Sequence, residues 1–482
     1  MMKQKVLFAA AEAAPFYKTG GLGDVAYALP KYLAQSGVDV RVVVPYYTKL
    51  FPKQYKTGLE DVISFQIDIP YRGLVYCGIK KYKLNDVNYY FIDNEEFFGR
   101  DNLYGYWDDG ERFAFFQLAI CRMMEVINFI PDVVHINDWH TAFVPVLLRD
   151  KFHWIEKYKG IKTLLTIHNL QFQGIFDPVI LDTLFGMGWN SYTDDGAKFY
   201  DQINFLKGGI NFADAVNTVS PSYAREIQTP EFGEQLDGVL RKNSWKLSGI
   251  INGIDSELYN PETDIQIKAN YNAADLSGKA IDKSELQAEL GLPVENVPLY
   301  GVVSRLTTQK GMDLFLDTLD DFLSRHKAQV VVLGTGDPEL ERRFEYYQNK
   351  YPNQLVAQMK FDIGLAQRIY AGSDVFVMPS AFEPSGLSQM MAMRYGTLPL
   401  VHAVGGLRDT VIPYNELDKT GTGFTFDDYR SNVLGEILSY SFRTYDERQT
   451  DWKALQQQAM ERDFDWSNSA QDYLNLYDNL AE

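Results

Sequence analysis

Short apolar runs rich in β-branched residues alternate with segments of helical periodicity along the whole chain. In the first half they fall at residues 6–11, 38–44, 133–136, 164–167 and 215–219. In the second half they fall at 250–251, 299–303, 330–333, 375–378 and 398–401. They are largely free of polar alternation, which is the pattern of strands covered on both faces of a parallel sheet. After the first run, Val25, Ala28, Leu29, Tyr32 and Leu33 share one face of a predicted helix, and Pro30 inside it predicts a kink. Residues 67–94 do alternate, predicting an antiparallel β insertion. The strand–helix series restarts after a polar stretch at 241–248. The expected architecture is α/β, with two open parallel sheets facing each other across a hinge near 240–250. The first domain is expected over 1–242 and the second over 243–460. A helical, aromatic tail over 461–482 is expected to pack back on the first domain. In open parallel sheets, ligands bind beyond the carboxyl ends of the strands.

The chain has 482 residues with 46 basic and 64 acidic side chains, a net charge of −18. That balance argues against a nucleic-acid or anionic-membrane binder, while leaving room for a local basic pocket. Only two cysteines occur, Cys77 and Cys121. They are too few for a disulfide framework and fit buried thiols in a reducing compartment. The N-terminus lacks a signal-peptide pattern, and no apolar run reaches the roughly 18 residues of a membrane-spanning helix. A cytoplasmic protein is expected. The 31 Tyr and 30 Phe suit cores as well as surfaces that stack on sugar rings.

The candidate chemistry sits where predicted strands end. Lys18-Thr19-Gly20-Gly21-Leu22-Gly23-Asp24 follows the first strand and opens a helix. Its glycines let backbone N–H groups approach a ligand, the helix start adds a positive dipole, Lys18 adds a cation, and Asp24 can reach a neutral polar group. No Gly-Lys-Ser/Thr closes the loop, so it is not a P-loop. Ser304-Arg305-Leu306-Thr307-Thr308-Gln309-Lys310-Gly311 brings Arg305 and Lys310 to one strand-to-helix turn, as a diphosphate leaving group would need. Gly334 and Gly336 follow another strand and are expected to give a nucleotide room. Phe382-Glu383-Pro384-Ser385-Gly386-Leu387-Ser388 precedes a helix, with Glu383 expected to face sugar hydroxyls. Asp138 and His168 end two strands of the first domain, His168 as a hydrogen-bonding partner for a sugar. His135 reads as a core residue. No metal-ligand spacing occurs among the histidines, and no metal or cofactor is expected. Asn252, in Asn252-Gly253-Ile254-Asp255 near the hinge, is either in a simple turn or in contact with the ligand.

Together these segments resemble the bacterial glycogen synthase family, which includes the plant starch synthases. The matching stretches are 18–24, 138–140, 166–169, 252–255, 304–311 and 383–389, in order along nearly the whole chain. The resemblance implies the GT-B fold of two Rossmann-like domains. It also implies metal-free transfer of glucose from ADP-glucose to the non-reducing end of an α-1,4-glucan, with retention of configuration. By the same resemblance, Asp24, Asp138, His168, Arg305, Lys310 and Glu383 form the catalytic set. Lys18, Gly20, Gly21, Asn252, Gly334, Gly336, Ser385, Gly386 and Leu387 hold the donor. The chain departs from many family members in carrying Ala381 for Arg and Ser385 for Cys. Met391 stands where other retaining GT-B enzymes often have a second Glu. A retaining transferase using UDP-glucose and a non-catalytic glucan-binding protein of the same fold are the competing expectations.

Overall fold

A computed structural model describes residues 4–481. The chain divides into two compact units, residues 1–250 with 466–482, and residues 251–465. Each has its own sheet and its own apolar core.

The first unit is built on a nine-stranded sheet. Its strands are β1 (Lys5–Ala9), β2 (Asp39–Pro45), β3 (Glu60–Ile69), β4 (Gly73–Leu84), β5 (Val87–Asp93), β6 (Val133–Asn137), β7 (Lys162–Ile167), β11 (Ala215–Thr218) and β12 (Leu247–Gly249). Between β7 and β11 the chain makes a small antiparallel sheet of β8 (Ile175–Phe176), β9 (Lys198–Phe199) and β10 (Gln202–Asn204). The order across the large sheet is β12-β11-β7-β6-β1-β2-β5-β4-β3. Every pair from β12 to β5 is parallel, and β5-β4-β3 is antiparallel. The unbroken apolar strands are covered on both faces, whereas the alternating insertion is covered on one and its outer strand is largely exposed. Strand order reverses beside β1: the chain first builds outward through β2, then returns to β6 on the other side. That leaves a crevice at the carboxyl ends of β1 and β6.

The second unit has six parallel strands in the order β15-β14-β13-β16-β17-β18. They are β13 (Leu299–Val303), β14 (Gln329–Leu333), β15 (Leu355–Gln358), β16 (Val375–Met378), β17 (Leu398–His402) and β18 (Phe424–Phe426). The reversal here lies between β13 and β16, so the loops after those two strands flank the second crevice.

Three sequence-based boundaries move. Residues 250–251 are not a strand. The strand is β12, which pairs with β11 and carries the first unit to residue 250 rather than 242. The second unit then runs to 465 rather than 460, because the backbone N–H of Ile254 donates to the carbonyl of Phe464 (2.8 Å) and ties its two ends together. The helix Gly21–Gln35 is continuous through Pro30.

The terminal helix Trp466–Ala481 belongs to the first unit. Tyr477 OH lies 2.7 Å from His135 Nδ1, and His135 Nε2 lies 2.6 Å from Thr166 Oγ1. Thr166 donates to Asn217 Oδ1, and Asn217 Nδ2 donates to Tyr473 OH. The amide orientation fixes the direction of the chain: Thr166 gives its proton to Asn217, so His135 donates from Nε2 and accepts from Tyr477 at Nδ1. Burial holds this histidine well below its ordinary pKa. It is a satisfied core residue that stitches the tail helix to β6, β7 and β11.

Candidate functional site

At the crevice of the first unit, Glu12 organises everything around it. It is 1% exposed. Its carboxylate accepts from Thr19 N (2.8 Å), Thr19 Oγ1 (2.8 Å), Gly20 N (3.3 Å), Gly23 N (3.0 Å) and Tyr104 OH (3.1 Å). A buried charge without a cation is tolerated only when donors surround it, and here the loop itself supplies them. Gly23 is required by close approach, since a Cβ there would lie 2.4 Å from the Lys18 Cβ. Gly20 and Gly21 face open space, so their backbone remains approachable. Lys18 and Asp24, read separately from the sequence, are bonded to each other (Nζ–Oδ1 2.6 Å). Both are exposed, so the pair adds little stability and opens readily. Glu12 was legible only as a charge directly after an apolar strand, and Tyr104, distant in sequence, gave no signal.

Asp138 follows β6 and His168 follows β7. Asp138 adopts a left-handed backbone (φ 55°). Its Oδ1 accepts from the N–H groups of His168 (2.7 Å) and Asn169 (3.4 Å). Burial raises its pKa to about 7 against the lowering effect of those two N–H groups. His168 Nε2 lies 2.9 Å from Asn137 Oδ1, and Asn137 Nδ2 donates to the carbonyl of Ala9 (3.0 Å). The amide is thereby oriented, and His168 carries its proton on Nε2. Its Nδ1 bonds to no described residue, and burial lowers the pKa to about 3, so the ring is neutral. His140 sits in the core, stacked on Trp139 at 4.1 Å.

The second unit brings Arg305, Lys310, Ser304 and Ser380 to the wall of one pocket of about 130 Å³. The guanidinium of Arg305 is exposed and bonds to no described residue. Lys310 Nζ donates to Glu383 Oε2 (2.6 Å), and Ser380 Oγ donates to the same oxygen (2.9 Å). Glu383 is 6% exposed, and its Oε1 accepts from no described residue. The loop carrying it is gripped from several sides. The N–H of Ala381 donates to the carbonyl of Gln309 (2.9 Å), and that of Gly406 to the carbonyl of Glu383 (3.0 Å). Gly405, in the left-handed region (φ 45°), admits the Glu383 carbonyl where a Cβ would lie 2.1 Å away. His402, Gly405 and Gly406 had not been singled out in the sequence, although the Gly-Gly pair directly after β17 was a readable mark of close backbone approach.

Gly334 and Gly336 pack against the Arg305 loop. The space a Cβ would take at Gly334 is filled by the Ser304 carbonyl (1.8 Å), and at Gly336 by that of Leu306 (2.2 Å). Leu306 and Gly336 also pair as a β-bridge. These glycines therefore seat the Arg305 loop against β14. Gly386 has φ 68°, and a Cβ there would meet Gln389 Oε1 at 2.5 Å. Leu387 caps the short helix Ser388–Arg394. Ser385 accepts through its carbonyl from Gln389 Nε2 (3.2 Å). Asn252 is buried, and its Oδ1 has no partner among the described residues. Beyond β15, Phe361 is 85% exposed and presents an aromatic face at the same strand-end edge as Arg305. No group of three or more His, Cys, Asp or Glu among the described residues is placed to hold a metal.

Comparison with known proteins places these features in context. Residues 5–242 match the family described as starch synthase catalytic domain, and residues 282–453 match glycosyl transferases group 1. A glycogen synthase of Lactiplantibacillus plantarum is 60% identical over 476 residues, covering 99% of both chains. One of Streptococcus gordonii is 53% identical over 477 residues, 99% of this chain and 100% of that one. The structure of the catalytic domain of starch synthase IV from Arabidopsis thaliana, bound to ADP and acarbose, superposes with a TM-score of 0.90 at 34% identity over 99% of each chain.

Proposed function

This chain belongs to the glycogen synthase family, retaining glucosyltransferases of the GT-B fold, and on that premise we propose that it moves glucose from ADP-glucose to the non-reducing end of an α-1,4-glucan, with retention of configuration and release of ADP. The observation that carries the reading is the unpaired Arg305 beside the Lys310–Glu383 pair at the strand-order reversal of the second sheet. As the bond to the glucose anomeric carbon breaks, negative charge grows on the departing diphosphate. Arg305 takes it bidentately, and Lys310 adds a point charge held in place by Glu383. The open Oε1 of Glu383 accepts from glucose hydroxyls. Lys18 and the Gly20-Gly21 amides hold the donor from their own loop, and Asp24 exchanges its Lys18 contact for the sugar. Neutral His168 offers Nδ1 to a hydroxyl, and Asp138 fixes the strand end that carries it. Asn252 supplies an acceptor otherwise left without a bond. Attack on the same face from which ADP leaves accounts for retention without a carboxylate pair of the kind a retaining hydrolase uses. Phe361 is suited to lie against a nucleobase. The chain holds two free, buried cysteines and no helix long and apolar enough to cross a membrane among its described residues, which suits the cytoplasmic placement we assign it.

The decisive measurement is glucan elongation and nucleotide release with ADP-glucose against UDP-glucose, using glycogen and small sugars as acceptors. Elongation of glycogen with preference for ADP-glucose is expected. Preference for UDP-glucose overturns the donor assignment, and glycogen binding without ADP release overturns catalysis.

A further inference from the structure

The ring of His402 lies at the carboxyl end of β17, 5% exposed, between two backbone carbonyls. Nδ1 is 2.8 Å from the oxygen of Ser380, and Nε2 is 3.1 Å from that of Asp427. Carbonyl oxygens only accept, so the ring acts as a donor wherever it bonds. Its faces pack on Phe426 (centroids 5.2 Å) and Tyr429 (5.1 Å), which fixes its plane. The ring itself does not line the pocket. Yet the residue it holds, Ser380, is 1% exposed and donates through Oγ to the same Glu383 oxygen that receives Lys310. The ring thus sets the backbone of Ser380, Ser380 sets one edge of the Glu383 carboxylate, and that carboxylate sets the Lys310 ammonium. Four residues, on the loops after β13 and β16 and at the last position of β17, form one hydrogen-bonded row. The Gly406 amide grips the Glu383 carbonyl from the same β17 side, so the end of β17 braces the loop at two points.

We propose that His402 is a positioning residue for glucosyl transfer: by donating to the Ser380 carbonyl it holds the Lys310–Glu383 pair in the geometry that receives the departing diphosphate and the glucose hydroxyls. The inference rests on the function proposed above and deepens it. A group held through two intermediaries affects the transition state more than ground-state binding of a nucleotide, because small displacements of charge at the reacting centre weaken what is strongest there.

The test is a double-mutant cycle. His402→Phe keeps a ring against Phe426 and Tyr429 but cannot donate, while His402→Gln restores an N–H donor. His402→Phe is expected to lower kcat about tenfold while the Kd for ADP, measured by calorimetry, changes less than about twofold. His402→Gln should recover a substantial part of the loss. In a Glu383→Gln background, where the pair is already broken, His402→Phe should change the rate by less than about twofold. A loss of folded fraction would multiply equally in both backgrounds. Equal factors in the two backgrounds, or wild-type kcat in His402→Phe, overturn the proposal. If His402→Phe does not fold, the same cycle with His402→Gln decides: a several-fold loss that vanishes beside Glu383→Gln supports the brace, and an equal loss in both refutes it. Absence of turnover with ADP-glucose in the unsubstituted enzyme faults the donor assignment instead, and the cycle run with UDP-glucose then judges His402 by itself. Inactivity with both donors overturns both.

Discussion

Glu12 and Asp138 show how two carboxyl groups in one crevice acquire different work from their surroundings. Glu12 accepts from five donors, four of them on the glycine loop. In Glu12→Gln an amide NH2 must face those donors, leaving hydrogen bonds unmade at a cost of about 1–3 kcal/mol. We expect a lower melting temperature together with a rise in the KM for the sugar nucleotide, seen by thermal unfolding and steady-state kinetics. Tyr104→Phe removes a single donor and should do less of both. An unaltered KM in Glu12→Gln would show that the loop holds its shape without the carboxylate. Asp138 accepts from only two N–H groups, desolvation outweighs them, and its pKa rises to about 7. An unfolded Asp titrates near 3.9, so between roughly pH 4 and 7 the folded chain binds a proton that the unfolded chain does not. Stability through this group is therefore greatest below that window and declines as pH rises through it. Asp138→Asn lacks the decline. Its melting temperature relative to the parent should be higher at pH 8 than at pH 5, with activity reduced at both, and a pH-independent difference would contradict the shift.

Elements were far easier to foresee than their neighbours. Largely apolar runs marked most of the parallel strands of both sheets, because burial on both faces favours apolar residues at successive positions. The short edge strands β15 and β18 were missed: Leu355–Gln358 is only half covered, and Phe424–Phe426 is three residues long. The antiparallel insertion was read from Ile67 although β3 begins at Glu60, where both faces are largely exposed. Strand ends located Arg305, Glu383, Asp138 and His168, but nothing local shows that β13 lies beside β16 or β1 beside β6. Those adjacencies, which create the crevices, depend on long-range pairing. For the same reason Glu12, Tyr104 and His402 escaped notice, since each acts on a segment remote in sequence. The helix Ser277–Glu289 carries another such case. Lys279 is 5% exposed, and its Nζ donates to the carbonyl of Ala371 and to Thr397 Oγ1, both at 2.7 Å. Desolvation by burial lowers its pKa to about 7, with Asp374 and Asp282 opposing. An unfolded lysine stays charged to about pH 10.4, so between about pH 7 and that value the unfolded chain holds the extra proton. The folded state is accordingly penalised most below pH 7, and stability rises with pH across the window. The parent should gain on Lys279→Met by an amount on the order of a few kcal/mol from pH 7 to 10, measured by denaturant unfolding at each pH. Parallel curves for the two proteins would show the lysine to be charged where it lies.

At the scale of the molecule, the chain leaves its first unit at residue 250 and re-enters it at 466. The second unit is a single stretch with a complete core, and no residue of the tail helix belongs to that core. The first unit is discontinuous. Trp466, Ala470, Tyr473 and Tyr477 are all within 2% of full burial in its core. Two of the tyrosines close the hydrogen-bonded row through His135, Thr166 and Asn217. Removing the chain after Asp465 would expose their contact surface and strip His135 and Asn217 of their partners. Three large aromatic side chains at about 2–3 kcal/mol each amount to roughly 6–9 kcal/mol, comparable with the whole stability of a typical domain at about 5–15 kcal/mol. The loss should therefore fall on one unit. Calorimetry of the truncated chain is expected to show the first unit's transition lowered steeply or absent, and limited proteolysis to leave a resistant fragment spanning approximately the second unit. Tyr477→Phe, which deletes only the hydroxyl that serves His135, should lower the same transition slightly and leave the other in place. Equal destabilisation of both transitions by the truncation would mean that the tail helix serves the second unit as well. Retention of full glucan-elongating activity by the truncated chain would show that the first unit keeps its crevice without the segment that completes its core.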